Sequence, residues 1–457
     1  MTHIQNPAAL APLARAVATW PDTVDTALQA RLFATMLDYA TALLAGTGHD
    51  IFPRYCAALI RVDETGPASA IGLAGKHPLL GAAGLNAATA HLWEVDDAHR
   101  FSTCHPGITV IPAVLALAET YPLLKANVRA AIVAGYEAVM RVGAHLGARH
   151  YALNHTTATA GCFGAAAAAA RYMGFEADEV LSAFGHAGTQ AAGLWQMLDD
   201  GTADAKGFHA ATAVRNGLTA AFMAQAKIAG APRILEGRRG MRASWSLNDC
   251  DPAWLTPGGR PLIHDVTIKS WPTCGQTHTA LDCASALAPR AGGADFIRRI
   301  TVLLPQQALQ IAGVQAPETL SQAKFSTSFC VAAAAAGRPP DFVGLTASLL
   351  HDPAIRLLAA RTYVHADPAF TARFPAERPA RVTIECEDGT QLVEERAFRN
   401  GDPEAPWGEA AMIARAHDIL RLTGRTIDVD RLVCWVRAFA VQDDHWSAAD
   451  LYSIIVP

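Results

Sequence analysis

The stretch WEVDDAHRFSTCHPGITVIPAVLALAE, Trp93 to Glu119, decides how the chain is read. Its first half carries Glu94, Asp96, Asp97, His99 and His105 with almost no apolar spacing, and from Ile108 it becomes an apolar run that Glu119 closes. Pro106 and Gly107 stand where a helix would start, with Thr109 placed to cap it. A loop of carboxylates and imidazoles feeding a buried helix puts titratable groups at the positive end of a helix dipole. Such a place can hold a substrate carboxylate or tune a histidine. The plainer alternative is a polar surface loop with two incidental histidines.

On either side the pattern is helical. LARAVATW and ALQARLFATMLDYATALLAG repeat apolar residues at helical spacing, separated by Pro21 and Asp22 and stopped at Gly46. Asp38 inside the second reads as a solvent-facing aspartate. Shorter helical pieces fill 51–90, broken by Pro53, Gly66, Pro67 and a Gly75–Pro78 turn. Residues 128–146 form a helix with Glu137 and Arg141 four apart, a mild i,i+4 pair. His155, Thr156 and Thr157 then precede the small-residue run Gly161 to Ala170 and fall near a helix N-terminus, where backbone N–H groups face whatever binds. After a small-residue helix over 178–195, Lys206 opens another such helix, against the usual dipole preference, as a cation kept for an anion would; His209 in that helix can simply pack.

Near residue 265 the character changes. DVTIKSWPTCGQTHTALDCASAL is a short β-like run ending at Lys269, a turn, and a helix with His278 and Asp282 four apart. IRRITVLLP and RVTIECEDGTQLVEERAF read as strands, the latter a hairpin about Glu387–Asp388–Gly389. Helical pattern returns from about 408. The fold expected is mainly α: an all-helical domain from 1–265 completed by 401–457, with a smaller α+β domain, 266–400, inserted as a lid.

The 457 residues predict about two or three domains. A formal charge of -5 with no Lys/Arg stripe argues against nucleic acid as a partner. The nine cysteines lack any CxxC or compact Cys/His set, so no metal site and no disulfide framework is expected, and reduced thiols in a cytoplasmic protein fit. MTHIQNPAALAPLARAVATW lacks the basic start and long apolar core of a signal peptide. Charge or glycine interrupts the alanine runs before membrane-spanning length.

Eight further motifs sharpen the reading: CHPGITVIPAVLALAE (104–119), AGYEAVMRVG (134–143), HTTATAGCFGAAAAAARYMG (155–174), KGFHAATAVRNGLTAA (206–221), ILEG (234–237), IKSWPTCGQTHTALD (268–282), AKFSTSF (323–329) and GDPEAPW (401–407). On these, along nearly its whole length, the chain resembles the MmgE/PrpD family, which includes 2-methylcitrate dehydratase, cis-aconitate decarboxylase and iminodisuccinate epimerase. The resemblance implies a helical domain with an inserted α+β lid, a homodimer, a small polycarboxylate substrate, and no metal or organic cofactor. It implies a catalytic set of His105, His155, Lys206 and Lys269. Substrate contacts are expected from Glu94, Asp97, His99, Thr156, Cys274 and His278. The chain departs from the family pattern in places. Where a D-F-D-D-T run is common it has Glu94, Val95, Asp96, Asp97 and Ala98; Cys274 stands where the decarboxylase has a histidine, and Phe329 where a tyrosine is common. These departures weigh against cis-aconitate decarboxylation in particular.

Lysines can hold carboxylates and stabilise an enediolate-like charge, and histidines can remove or return an α-proton. Dehydration needs a base at one carbon and an acid at the departing hydroxyl. Epimerisation needs a proton-transfer group on each face, and decarboxylation a charge sink and one donor. The same residues serve all three; a hydro-lyase is the reading favoured, with an α-carbon epimerase next and a non-catalytic helical scaffold as the alternative outside enzymes. No iron–sulfur spacing supports an aconitase-type mechanism.

Overall fold

The computed structural model describes residues 7–61, 64–121 and 126–455, so the first six residues of the segment read above for a leader lie outside it. Helices dominate. Ala11–Ala18 and Thr26–Gly46 account for the first two periodic runs, and the second is capped by Asp25, whose carboxylate accepts from the Leu28 N–H at 2.7 Å. Ala126–Leu153 (interrupted at Gly147, φ 81°), Gly161–Tyr172 and Lys206–Gln225 pack with Leu79–Ala90 and Gly107–Thr120 into the main core. Their small residues set the spacing. A Cβ on Gly135 would stand 2.6 Å from Val110 Cγ1, and one on Gly217 would stand 2.5 Å from Ala165 Cβ, so larger side chains would force these helices apart.

A second hydrophobic core lies around a four-stranded sheet of β3 (Ile297–Leu304), β4 (Thr362–Ala366), β5 (Ala380–Cys386) and β6 (Gln391–Arg396), in the order β4-β3-β5-β6. β3 and β4 run parallel and the other pairs antiparallel. Ile300 and Val302 of β3 and Val382 and Ile384 of β5 share that core with the helices His278–Ala291 and Thr327–Ala335. From Glu409 the helices Glu409–Leu420 and Val429–Val441 return to the first core, where Met412, Ile419, Leu432 and Phe439 are buried. Among the described residues no helix is long and apolar enough to cross a membrane.

A short antiparallel pair joins the acidic loop to the mixed region. β1 (Ala98–His99) pairs with β2 (Val266–Thr267) in the register Ala98↔Thr267 and His99↔Val266, which sets Lys269 beside Glu94. No alternating pattern announces a two-residue strand, so β1 is not legible in the sequence.

Several local expectations need correction. Asp38 is buried, not solvent-facing, and pairs with Arg415 at 2.8 Å. Thr109 does not cap its helix: its hydroxyl donates to Pro106 O, while Asp97 Oδ1 accepts the Gly107 N–H at 2.9 Å. Glu137 and Arg141 make a 2.6 Å pair, but in the interior rather than on a helix surface. The helix expected over 178–195 ends at Thr189 and is followed by the turn Gln196–Asp199.

Arg415 ties three parts of the chain together. Besides Asp38, it donates to Lys269 O and Val95 O, both at 2.7 Å. Removing its guanidinium leaves a buried carboxylate and two carbonyls without their donor. Arg415→Met should therefore lower the urea-unfolding free energy by about 3–5 kcal/mol, and Asp38→Asn in the same background should recover part of it. A loss below about 1 kcal/mol would show that the pair does not anchor the fold.

Candidate active site

The acidic loop is interior. Glu94, Asp96, Asp97 and His99 are all buried, which discards the surface-loop alternative. Glu94 holds a left-handed backbone conformation, φ 58°, that few non-glycine residues adopt and that persists only where surroundings fix it. Those surroundings are two lysines. Lys206 Nζ, at the start of its helix, donates to Glu94 Oε1 at 2.6 Å, and Lys269 Nζ donates to Glu94 O at 2.9 Å and to Oε2 at 3.4 Å. Burial pushes the Glu94 carboxyl up, but Lys206 and Lys269 outweigh it and hold it below the ordinary carboxylate range.

Asp96 orients imidazoles. Its Oδ2 lies 2.9 Å from His91 Nδ1 and 3.1 Å from His105 Nδ1, and His105 Nδ1 is also 2.7 Å from Asp97 O. A carbonyl oxygen only accepts, so His105 carries its proton on Nδ1 and turns the Nε2 lone pair outward. Burial and the Lys269 charge push His105 down to about 3 despite Asp96. His155 Nδ1 is 3.1 Å from His209 Nδ1, its ring stacks on His91 at 5.7 Å between centroids and rests on Trp195 at 4.5 Å. Burial, then Lys206 and His209, push His155 well below the usual histidine range. Uncharged imidazoles therefore stand beside charged lysines, a set able to accept protons next to a bound anion.

Apolar side chains close one flank. Trp195, Tyr151, Phe325 and Cys274 form a small cluster, and Lys206 Nζ lies 5.5 Å from the Phe325 ring centroid. The space bounded by His91, Glu94, Lys206, Lys324 and Phe325 amounts to about 20 Å³, room for about one water. At its mouth Ser321 Oγ donates to Asp204 Oδ1.

Of the residues singled out from sequence, the structure brings together His105, His155, Lys206, Lys269 and Glu94. Cys274 joins them as part of the apolar wall, its thiol pushed up by burial. Thr156 follows His155 with its hydroxyl 3.2 Å from that of Thr103. The others have hydrogen-bond partners of their own. Asp97 is engaged by Gly107 N–H and by the Tyr136 hydroxyl at 2.8 Å, as a structural anchor. His99, at the end of β1, meets Ser102 Oγ at 2.8 Å, and His278 Nε2 meets Thr273 O at 3.1 Å. Three members escaped the sequence reading. His91 sits three residues ahead of Glu94, just outside the acidic run; His209 lies one helical turn after Lys206, on the same face, and does not merely pack. Lys324, within the AKFSTSF motif, donates to Leu92 O at 2.8 Å, and burial pushes its ammonium down to about 8. Among the described residues, the one group able to hold a metal ion is His91, His105 and His155.

The model of the MmgE/PrpD N-terminal domain matches residues 13–251, and that of the C-terminal domain matches 271–430. The chain belongs to the MmgE/PrpD family. Within it, the chain is similar to the cis-aconitate decarboxylase of Mus musculus, 24% identical over 339 residues, which is 68% of this chain and 66% of that protein. It is 27% identical to the Homo sapiens cis-aconitate decarboxylase over 255 residues, 49% of each, and 26% to that of Aspergillus terreus over 252 residues, 52% of this chain and 51% of the relative. The matched part thus spans just under two thirds of the first relative and about half of the other two.

Asp97 gives this MmgE/PrpD chain a pH signature. Burial and the Asp38 carboxyl push it up to about 8, against the donors of Tyr136 and Gly107. A carboxyl with a folded-state value above its unfolded value of about 4 binds its proton more tightly when folded. Its contribution is whole below about pH 4 and is lost as pH rises towards 8. Thermal melts should show the advantage of wild type over Asp97→Asn shrinking across that window. An advantage that grows instead would mean that Asp97 caps its helix as a stabilised carboxylate.

Proposed function

We propose that this protein is a hydro-lyase, independent of metal and organic cofactors, that removes water from or adds it to a small hydroxylated di- or tricarboxylate. The observation that supports this reading is the pair of imidazoles, His105 and His155, with ring centroids 6.2 Å apart, beside the two ammonium groups that share Glu94. Elimination of water needs a base for the α-proton and an acid for the departing hydroxyl. In this proposal His155 takes the proton and Lys206 and Lys269 hold the carboxylate onto which charge spreads. His105 orients or protonates the leaving oxygen. The carboxylates of a bound substrate raise both imidazoles towards neutrality, which allows one of them to arrive protonated.

Residues 266–400 act, on this reading, as a lid over a helical domain of residues 1–265 and 401–457. Support comes from Ser321 and Lys324, which line that small space from this part of the chain, and from Lys269, which reaches Glu94 at its edge. Lid closure excludes water and strengthens the lysine–carboxylate attraction. The homodimer expected from the family is part of the same proposal.

Decarboxylation is the second reading, favoured by the names of the relatives and opposed by Cys274 and Phe329. Epimerisation at an α-carbon would use the same two imidazoles. Incubation in deuterated water with 2-methylcitrate, citrate, malate, iminodisuccinate and cis-aconitate, followed by ultraviolet absorbance and NMR, separates the three. A new conjugated double bond is the expected result, and it should persist after exhaustive chelation. Loss of CO₂, or α-deuteration with inversion and no alkene, would replace the hydro-lyase reading. His155→Ala and Lys206→Ala should each lower kcat/KM by about 10²-fold or more.

A further inference from the structure

His91, His105 and His155 come from three separate segments, yet one ring nitrogen of each lies within 4.8 Å of the other two. Each ring is fixed from behind. Asp96 Oδ2 meets Nδ1 of His91 and of His105, Asp97 O takes the His105 Nδ1 proton, and His209 meets Nδ1 of His155. For His91 and His105 these are the carboxylate and carbonyl partners that metal-binding histidines generally have on the rear nitrogen, where they set the tautomer; behind His155 the imidazole of His209 takes that place. The Nε2 atoms of His91 and His155 are buried without a hydrogen-bond partner among the described residues. A purely structural cluster would leave such atoms unsatisfied at a cost.

We propose that these three imidazoles form a site for one divalent transition-metal ion of the zinc type, and that the ion switches off proton transfer when it binds. Three nitrogen donors favour zinc, cobalt, nickel or copper over magnesium or calcium. Zinc–nitrogen bonds of about 2.0–2.1 Å put ligand nitrogens about 3.3 Å apart in a tetrahedron, so the rings close by at most about 1.5 Å. The nearby ammonium groups do not repel the ion outright, since Glu94 lies 2.6 Å from Lys206 Nζ and Asp96 lies 3.8 Å from Lys269 Nζ. Water fills the fourth position. The inhibition follows from lone-pair accounting: nitrogens that bind the metal are those that must accept and return protons. This consequence rests on the function proposed above, whereas the metal site does not.

The test uses the full chain stripped by chelator and dialysed. Zn²⁺ is titrated by calorimetry and Co²⁺ by its visible absorption, with turnover measured in parallel. One ion per chain, a tetrahedral Co²⁺ spectrum and loss of turnover that chelator reverses are expected. His91→Ala should abolish the spectrum and Asp96→Asn should weaken Co²⁺ binding about 10–100-fold, both with circular dichroism melts that report the fold. Absence of binding to the wild-type chain overturns the site. So does binding that survives in both His91→Ala and His155→Ala. If metal restores turnover to an inactive stripped chain, the off-switch is overturned. A chain that binds Co²⁺ at these histidines but turns over no polycarboxylate upholds the site and overturns the hydro-lyase reading instead.

Discussion

Two buried ammonium groups and one buried carboxylate cannot stand apart in a protein interior. Lys206 and Lys269 lie 112 and 175 residues beyond Glu94, and both end on it. Taking any one of them out of water alone would cost several kcal/mol, so the three must meet, and their meeting fixes the relative position of the segments that bear them. The left-handed backbone at Glu94 is the local expression of that constraint, since it aims the carboxylate at Lys206 and the carbonyl at Lys269.

The rest of the site is arranged around the same triad. Asp96, two residues on, shares Lys269 with Glu94 and holds His91 and His105 with its other oxygen. Arg415, from the last part of the chain, grips the carbonyls of Val95 and Lys269 and so clamps the loop against the lysine-bearing segment. The result combines charge that can hold an anion with uncharged bases that can move a proton, among side chains that are largely buried. Catalysis at a carbon next to a carboxylate asks for this combination, because stabilising the developing charge is worth most where the dielectric is low.

Much of this was legible before any coordinates. Apolar spacing, Pro–Gly punctuation and alanine-rich runs gave the helices, because these signals are local and each helix must bury one face. The hairpin β5–β6 followed from alternation about Asp388–Gly389. The acidic loop, His105, His155, Lys206 and Lys269 were found by chemistry and by resemblance. What failed was long-range. Asp38 looks like a surface residue until Arg415 arrives from 377 positions away (415 − 38) to pair with it. Asp97 looks like a ligand-binding carboxylate until Tyr136 and Gly107 take both its oxygens.

The sequence alone therefore determined the helical class, the strand at 297–304 and the hairpin over 380–396, and the stock of titratable groups. Those depend on neighbours within a turn or a strand. Only the tertiary structure decided which groups share a site. It added His91, His209 and Lys324, and it gave His99 and His278 local partners in Ser102 and Thr273. A side chain's function depends on which way it points and what charge faces it. Those are properties of contacts between segments far apart in the chain, and no spacing within a single segment encodes them.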